Sequence, residues 1–468
     1  MRVIPVLTPE QMKLADATAL SAVGNDHQQI FINRAGFAVA HAARNMLLGG
    51  SYGKQVLVIA GPGHNGDDGR VAAYWLTQWG AAVEIVDASS VGGRFIDPRV
   101  ADIVIDAAYG IGFHGEWTPP IVFDVPVLAV DIPSGLNPFD GSVSGGVLTA
   151  DRTITFAAPK VGMFFGSGPA LCGIIDVVDV GIETTDDVDT YLIEATDVAA
   201  WVPPREHDAH KWNHAVRVIA GSDGMEGAAS LVSMSALRAG SGMVHLSWRS
   251  GSSMFSQPTE IVGHVLPATD WASFIGADMA RFGAMVIGPG LGRGDDVGAE
   301  IRAVLARCEV AVVVDGDGIS GAIDPHGDYS TLRSRTAFTI LTPHDGEFAS
   351  LGGDALSADR IGATRDLAAR IGCTVVRKGA TTIISDAEGA VYLVASGDQR
   401  LATAGTGDVL AGIIGAFLAR GLAAPEAAAA AAYVHGVAGS RCAAEGTIAR
   451  DVVGLISDVL SDVMSHVN

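Results

Sequence analysis

The nonapeptide Gly61-Pro62-Gly63-His64-Asn65-Gly66-Asp67-Asp68-Gly69 follows a β-branched run, Lys54–Ala60, and precedes a stretch with helical patterning, Val71–Trp79. Gly61, Gly63 and Gly66 satisfy G-x-G-x-x-G, and Asp87 closes the next apolar run. That spacing suits a glycine turn that admits a dinucleotide pyrophosphate to a helix N-terminus. Asp67 and Asp68 oppose this reading, because carboxylates repel pyrophosphate. A loop rich in Asn and Asp serves equally to hold a cation or hydroxyl groups, and a glycine turn can also do no more than pack helix on strand. Two further apolar runs end in carboxylates. One is Ile105-Asp106-Ala107-Ala108-Tyr109-Gly110-Ile111-Gly112; the other is Val130-Asp131-Ile132-Pro133-Ser134-Gly135-Leu136. Ligands of open α/β sheets bind outside the carboxyl ends of strands, so Asn65, Asp106 and Asp131 are expected to converge on one pocket.

The C-terminal half carries a different set. Ala404-Gly405-Thr406-Gly407-Asp408 precedes the apolar helical run Val409–Ala419. Glycine-flanked amides at a helix start bind phosphate, and Asp408 is either a chemical base or an acid that favours the helix N-terminus. Arg377-Lys378-Gly379-Ala380-Thr381-Thr382 offers a cation and hydroxyls on a turn. Leu341-Thr342-Pro343-His344-Asp345-Gly346-Glu347 and Gly288-Pro289-Gly290-Leu291-Gly292 close two more apolar runs. His344 reads either as a ligand or as a turn or cap residue. The G-x-x-x-x-G-K-[ST] phosphate loop is absent from the sequence, which argues against an ordinary Walker NTPase.

The elements that must position these residues alternate. Strand signals at Lys54–Ala60, Ala82–Val86, Ile103–Ala107 and Val127–Asp131 are separated by helical stretches, the pattern of a doubly wound sheet. A second series begins at Ala215–Ala220 and continues with a helix over Ala228–Ala239. Strands follow at Met243–Ser247, Ala284–Ile287, Val310–Val314 and Phe338–Leu341. The two series are not copies. Between them, Thr184–His214 has weaker periodicity, and the domain boundary is expected near Trp201–Pro204, giving domains 1–203 and 204–468. With 468 residues, 49% hydrophobic and 18% charged, the chain has material for two cores.

Acidic residues outnumber basic ones, 52 to 30, for a net charge of −22. Such a field repels nucleic acid, and phosphate ligands must be held by local amides and placed cations. Cys172, Cys308, Cys373 and Cys442 form no C-x-x-C pair and read as buried thiols of a reducing compartment. No signal-peptide pattern and no apolar run of about 18–20 residues is present. The expectation is a cytoplasmic homo-oligomer acting on small molecules, with no nucleic-acid or membrane partner.

Taken together, residues 8 to about 200 resemble the NAD(P)H-hydrate epimerase domain. The resemblance rests on Arg34-Ala35-Gly36-Phe37-Ala38-Val39-Ala40, GPGHNGDDG, DAAYGIG and VDIPSGL. His64 stands where the family has a first Asn, and Asp67 where it has a Gly. The resemblance implies a potassium ion on Asn65, Asp106 and Ser134. It implies substrate contacts from His64, Asn65, Gly66, Asp67 and Asp68 and from Gly110, Ile111, Gly112, Phe113, His114, Gly115 and Glu116. It makes Asp131 the acid/base at the hydrated nicotinamide carbon.

Residues from about 205 to 465 resemble the ribokinase-like superfamily and, within it, the ADP- or ATP-dependent NAD(P)H-hydrate dehydratase. The matching motifs are VIAGS, Gly227-Ala228-Ala229, ALRAGSG, VIGPGLG, LTPHDGE, KGATT and AGTGDVLAGIIGAF. Asp345 replaces a family Pro, and Asp315-Gly316-Asp317-Gly318 is a glycine-rich version of its segment. By resemblance, Ala228, Gly292, His344 and Asp408 contact the hydrated cofactor, with Asp408 catalytic. Lys378, Gly379, Ala380, Thr381 and Thr382, with Thr403, Ala404, Gly405, Thr406 and Gly407, contact the nucleotide, ADP with ATP as the alternative, with Mg2+ and a contribution from Glu347. The implied activity is epimerisation of R and S hydrates of NADH and NADPH, followed by dehydration of the S form. A small-alcohol kinase with a non-catalytic N-terminal binding module is the alternative reading.

Overall fold

The computed structural model describes residues 3–23, 28–184, 187–249, 259–324 and 326–465. Asp186 of the linking stretch lies outside them. Two compact units form, Ile4–Val188 and Asp189 onward. The division precedes the expected Trp201–Pro204 because the polar linker still contributes to the second core. Ile193, Val198, Ala199 and Val202 are buried there.

In the first unit six strands lie side by side. They are β1 (Gln55–Ala60), β2 (Ala82–Asp87), β3 (Ile103–Ala107), β4 (Val127–Val130), β5 (Arg152–Phe156) and β6 (Ile174–Val178). All pair in parallel, in the order β2-β1-β3-β4-β5-β6. Each residue of β3 and β4 is buried, as expected for parallel strands covered on both faces. The order reverses between β1 and β3, which opens a crevice at their carboxyl ends. Helices α1 (Pro9–Val23), α2 (Gln28–Met46) and α3 (His64–Gln78) belong to this unit.

Here the structure corrects the expected helix start. Helix α3 begins at His64, not Val71, so most of the glycine-rich segment is helical. Its glycines serve close packing. A methyl at Gly66 would overlap the Gly61 carbonyl oxygen, and one at Gly69 would stand 2.6 Å from the Ala107 methyl. Gly36 of α2 does the same for the helix pair, since a methyl there would stand 2.7 Å from the Asp68 carbonyl oxygen.

The second unit is built on one large sheet. Its strands are β7 (Thr190–Leu192), β8 (Ala215–Ile219), β9 (Met243–Trp248), β10 (Val262–Val265), β11 (Ala284–Ile287), β12 (Ala311–Val314), β13 (Thr339–Leu341), β14 (Thr374–Arg377), β15 (Thr382–Ser385) and β16 (Val391–Val394). They run β7-β16-β15-β14-β13-β12-β11-β8-β9-β10. Pairing is parallel except at β14–β15 and β15–β16. Helices α4 (Glu226–Arg238), α5 (Asp345–Ser350), α6 (Thr406–Ala419) and α7 (Ala424–Ser440) flank it. Helix α6 starts at Thr406 rather than Val409, so Gly407 and Asp408 are its first turn. It is apolar nearly all round and buried, as such a helix must be. Gly412 lets it press on the Ser235 and Val232 atoms of α4.

Cys172, Cys308 and Cys373 are buried free thiols, and burial pushes the Cys172 and Cys373 thiols up to about 12. No helix among the described residues is long and apolar enough to cross a membrane.

Candidate active sites in the two halves

In the first unit a cavity of about 880 Å3 lies at the carboxyl ends of the strands. Helix α3 sets His64, Asn65 and Asp68 on its wall, the turn after β3 sets Gly110, Ile111, Gly112, Phe113 and His114, and the end of β4 sets Asp131. Gly66, Asp67, Gly115 and Glu116 lie off that wall. Asp67 turns instead to Arg70, one helical turn on, at 3.1 Å. Gly66 faces Gly61.

Asp131 takes a left-handed backbone, φ 66°, a conformation that Asp tolerates better than most residues. Its N–H donates to the Ile154 carbonyl at 2.7 Å. Its Oδ1 accepts from the Lys160 ammonium, and Thr155 Oγ1 lies 3.4 Å away. Lys160 is only 1% exposed, so this buried cation is held by Asp131 and by Thr155 at 2.8 Å. Sequence reading missed Lys160, although Pro159-Lys160 follows β5 just as the other site residues follow their strands.

Asp106 is fully buried at the end of β3. Ser134 donates to it from Oγ at 2.6 Å and from N–H at 2.9 Å. Burial raises the Asp106 carboxyl and outweighs these bonds. Asn65 is buried with both amide atoms unpartnered among the described residues, which is costly unless a ligand satisfies them. One amide, one carboxylate and one hydroxyl oxygen make a hard donor set suited to an s-block cation. The residue types present therefore suit such a cation, potassium among them.

Carboxylates crowd the cavity. Burial, then Asp131 and Asp67, push Asp68 up to about 8. Asp16 of α1, also missed by sequence reading, is pushed up to about 6 by burial and Asp131, against the pull of Lys160 and His64.

In the second unit the site residues gather where β12, β13 and β14 end and α6 begins. Lys378 Nζ donates to Asp315 Oδ1 at 3.0 Å and lies 3.8 Å from Glu347 Oε2. Burial opposes its charge, but Asp315, Glu347 and Asp408 together raise its affinity for the proton. A methyl at Gly407 would stand 3.3 Å from the same ammonium, so Lys378 overhangs the start of α6. Asp408 is pushed up to about 7 by burial and Asp315, against Lys378, with Asp317 and Glu347 adding to the rise. Gly405 is left-handed, φ 91°, which turns the chain into the helix. Thr406 Oγ1 donates back to the Thr403 carbonyl at 3.0 Å.

Gly292 N–H donates to Asp317 at 3.0 Å, and a methyl at Gly290 would stand 3.1 Å from the Ala228 methyl. The segments carrying Gly292 and Ala228 are thus brought together. Gly379, Ala380, Thr381 and Thr382 follow Lys378 into β15, with Thr381 buried. His344 caps α5. Its Nδ1 accepts from Glu347 N–H at 3.1 Å while its own N–H donates to Glu347 at 2.9 Å, the reciprocal bonding of a capping box. Its Nε2 lies 3.5 Å from Glu347 Oε2, and the side chain is largely exposed. Asp345 pairs with Arg377 at 2.7 Å and Arg360 at 3.1 Å, so the departure from Pro serves packing under the turn. His435 of α7 was also missed. It is buried, its ring bonds the Thr406 backbone, and burial pushes it down to about 4.

Comparison with known proteins bears on both halves. The family model for the N-terminus of YjeF-related proteins matches residues 28–94 and 95–162. The NAD(P)H-hydrate dehydratase model matches residues 216–460. A Bacillus subtilis ADP/ATP-dependent NAD(P)H-hydrate dehydratase, co-crystallised with ATP and Mg2+, superposes with TM-score 0.51 at 26% identity, over 58% of this chain and 97% of that one. An Enterococcus faecalis ribokinase-like protein gives TM-score 0.51 at 22% identity, over 60% and 99%, and shares the fold. The Mycobacterium tuberculosis bifunctional NAD(P)H-hydrate repair enzyme Nnr is 36% identical over 447 residues, 90% of each chain. The Moorella thermoacetica enzyme of that name is 31% identical over 93% of this chain and 92% of its own. Likeness that runs through both halves in one order, over nine-tenths of the chain, places this protein in the bifunctional NAD(P)H-hydrate repair enzyme family.

Proposed function

We propose that the first unit interconverts the R and S hydrates of NADH and NADPH. The second unit dehydrates the S form at the expense of ADP. One observation carries this reading: each half sets a carboxylate near a lysine at the carboxyl end of its sheet, Asp131 with the buried Lys160 and Asp408 with the part-exposed Lys378. In the first unit Asp131 moves the proton of the ring hydroxyl, with Lys160 fixing its orientation. The cavity residues His64, Asn65 and Asp68 and those from Gly110 to His114 bind the hydrate. Asn65, Asp106 and Ser134 would hold potassium, which when bound supplies fixed positive charge in an acidic cavity. The unpartnered Asn65 amide supports that assignment.

In the second unit Asp408 takes the proton of the ring hydroxyl as its oxygen attacks the terminal phosphoryl group of the nucleotide. AMP leaves from ADP. The ring nitrogen then expels phosphate, and loss of the neighbouring carbon's proton restores the double bond. Free hydroxide is a poor leaving group at neutral pH, and phosphorylation removes that barrier. The amides of Gly405–Gly407 face developing phosphoryl charge, and Lys378, Gly379–Thr382, Thr403 and Ala404 bind the nucleotide. Ala228, Gly292 and His344 contact the hydrated ring. Glu347 would help hold Mg2+, which neutralises phosphate charge when bound. The exposed apolar side chains Ile30, Phe37 and Tyr74 on α2 and α3 support the homo-oligomer, which sedimentation measures.

The test is recovery of reduced-nicotinamide absorbance from a mixed R and S hydrate with ADP, with ATP and with neither. The expected result is nucleotide-dependent recovery of nearly all the cofactor. Recovery that stops near the S fraction means an inactive epimerase half. No recovery returns the small-alcohol kinase to the front.

A further inference from the structure

Helix α1 carries no glycine motif and no charge cluster, yet it closes one side of the N-terminal cavity. Met12, Asp16 and Leu20 recur every fourth residue and all three line it, a single stripe of the helix. Asp16 is the stripe's one carboxylate. The charged and titratable groups acting on it are Asp131, Lys160 and His64, and Lys13, Asp68, Tyr109 and His114 also line the cavity. Among the described residues no hydrogen bond or ion pair engages its carboxyl. Asp131, by contrast, has Oδ1 committed to Lys160. The site thus holds two carboxyl groups in unlike settings, one ion-paired and one not.

We propose that Asp16 is a second acid/base residue of the N-terminal site, exchanging a proton with the ring nitrogen while Asp131 exchanges one with the ring hydroxyl. This rests on the epimerase reading above. Inverting a hemiaminal carbon requires one of its bonds to break. Asp131 takes the hydroxyl proton, the carbon–oxygen bond becomes a carbonyl, and the pair of the carbon–nitrogen bond goes to nitrogen. Asp16 gives that nitrogen its proton. Rotation about the adjacent carbon–carbon bond presents the other face of the aldehyde. The nitrogen adds back, its proton returns to Asp16, and Asp131 reprotonates the oxygen. Substrate and enzyme end with the protons they began with, and no co-reactant is consumed. An acid and a base held in contrasting environments is the arrangement that this chemistry needs. Burial beside Asp131, which pushes Asp16 up to about 6, supports the role, since a carboxyl must still carry a proton near neutrality to donate it.

The experiment measures epimerisation of the R hydrate by the full-length protein, coupled to its own dehydratase, from about pH 5 to about pH 9. Wild type is expected to lose kcat/KM for epimerisation as pH rises above about 6, because the acid form is then depleted. Asp16→Asn is expected to lower epimerisation at least about 100-fold. Dehydration of pure S hydrate by the same sample reports that the protein is folded and should be unchanged. Asp16→Glu is expected to retain partial activity with the alkaline limb displaced. If wild type epimerises and Asp16→Asn matches it within about threefold, or if Asp16→Glu leaves the limb in place, the Asp16 proposal is overturned and the epimerase reading stands. If wild type leaves the R hydrate unconverted at every pH, both fall.

Discussion

Asp408 occupies a position where two physical roles meet. In the first turn of α6 a carboxylate stabilises the helix, yet burial and Asp315 push this one up to about 7. A base must be ionised to act. The dehydratase rate is therefore expected to rise with pH through about 7, and Asp408→Asn to lose at least about 100-fold in kcat. A pH–rate profile on pure S hydrate with saturating nucleotide measures both. Asp68 offers a stability test with the opposite emphasis. Its carboxyl is raised from 3.8 to about 8, so the folded state favours the neutral form. The associated stability is complete below the unfolded value and is lost as pH rises to about 8. Asp68→Asn and wild type should unfold alike near pH 4. The variant should then gain up to about pH 8 and level off, by on the order of 2–5 °C, as read by thermal unfolding. The chemical types of these residues were legible in the sequence. Their proton affinities were not, because burial and neighbouring charge set them.

At the scale of the element, α3 and α6 share a device. Each starts immediately after a glycine and carries its site residues in its first turn or two, and each uses internal glycines to press against its neighbours. A methyl at Gly66 would overlap the Gly61 carbonyl, and one at Gly412 would overlap Ser235. Gly66→Ala is expected to destabilise the first unit by about 1–3 kcal/mol, although alanine is the better helix former in isolation. Chemical denaturation followed by a first-unit probe checks this; a neutral or stabilising effect would remove packing as the reason for the glycine. The glycine spacing alone suggested a phosphate cradle. The helix start at His64 gives the pattern a second reason: a strand-to-helix junction needs small residues whether or not it binds pyrophosphate.

For the whole molecule, the two carboxylate–lysine pairs lie in separate compact units, so the activities should separate cleanly. Asp131→Asn is expected to consume the S hydrate at the normal rate and stall near the S fraction. Asp408→Asn should still interchange R and S but restore no absorbance. Chiral analysis of the residual hydrate distinguishes them. Replacing potassium with tetramethylammonium, too large for a small oxygen-lined site, should slow only epimerisation. Loss of both activities in either case would show that the units do not act independently.

The sequence by itself determined the α/β class, the order of strands and helices, and the strand-end motifs, because apolar periodicity and glycine spacing are local properties. It also carried the family likeness, since motifs are read along the chain. The tertiary structure decided what the chain direction hides. It brought Lys160 to Asp131 across 29 residues and Lys378 to Asp315 across 63. It set Asp16 from a distant helix against the cavity and turned Asp67 away toward Arg70. Those outcomes depend on strand order and helix rotation, which fix which side chains share a space. Only such shared space can bury a carboxylate and raise its proton affinity.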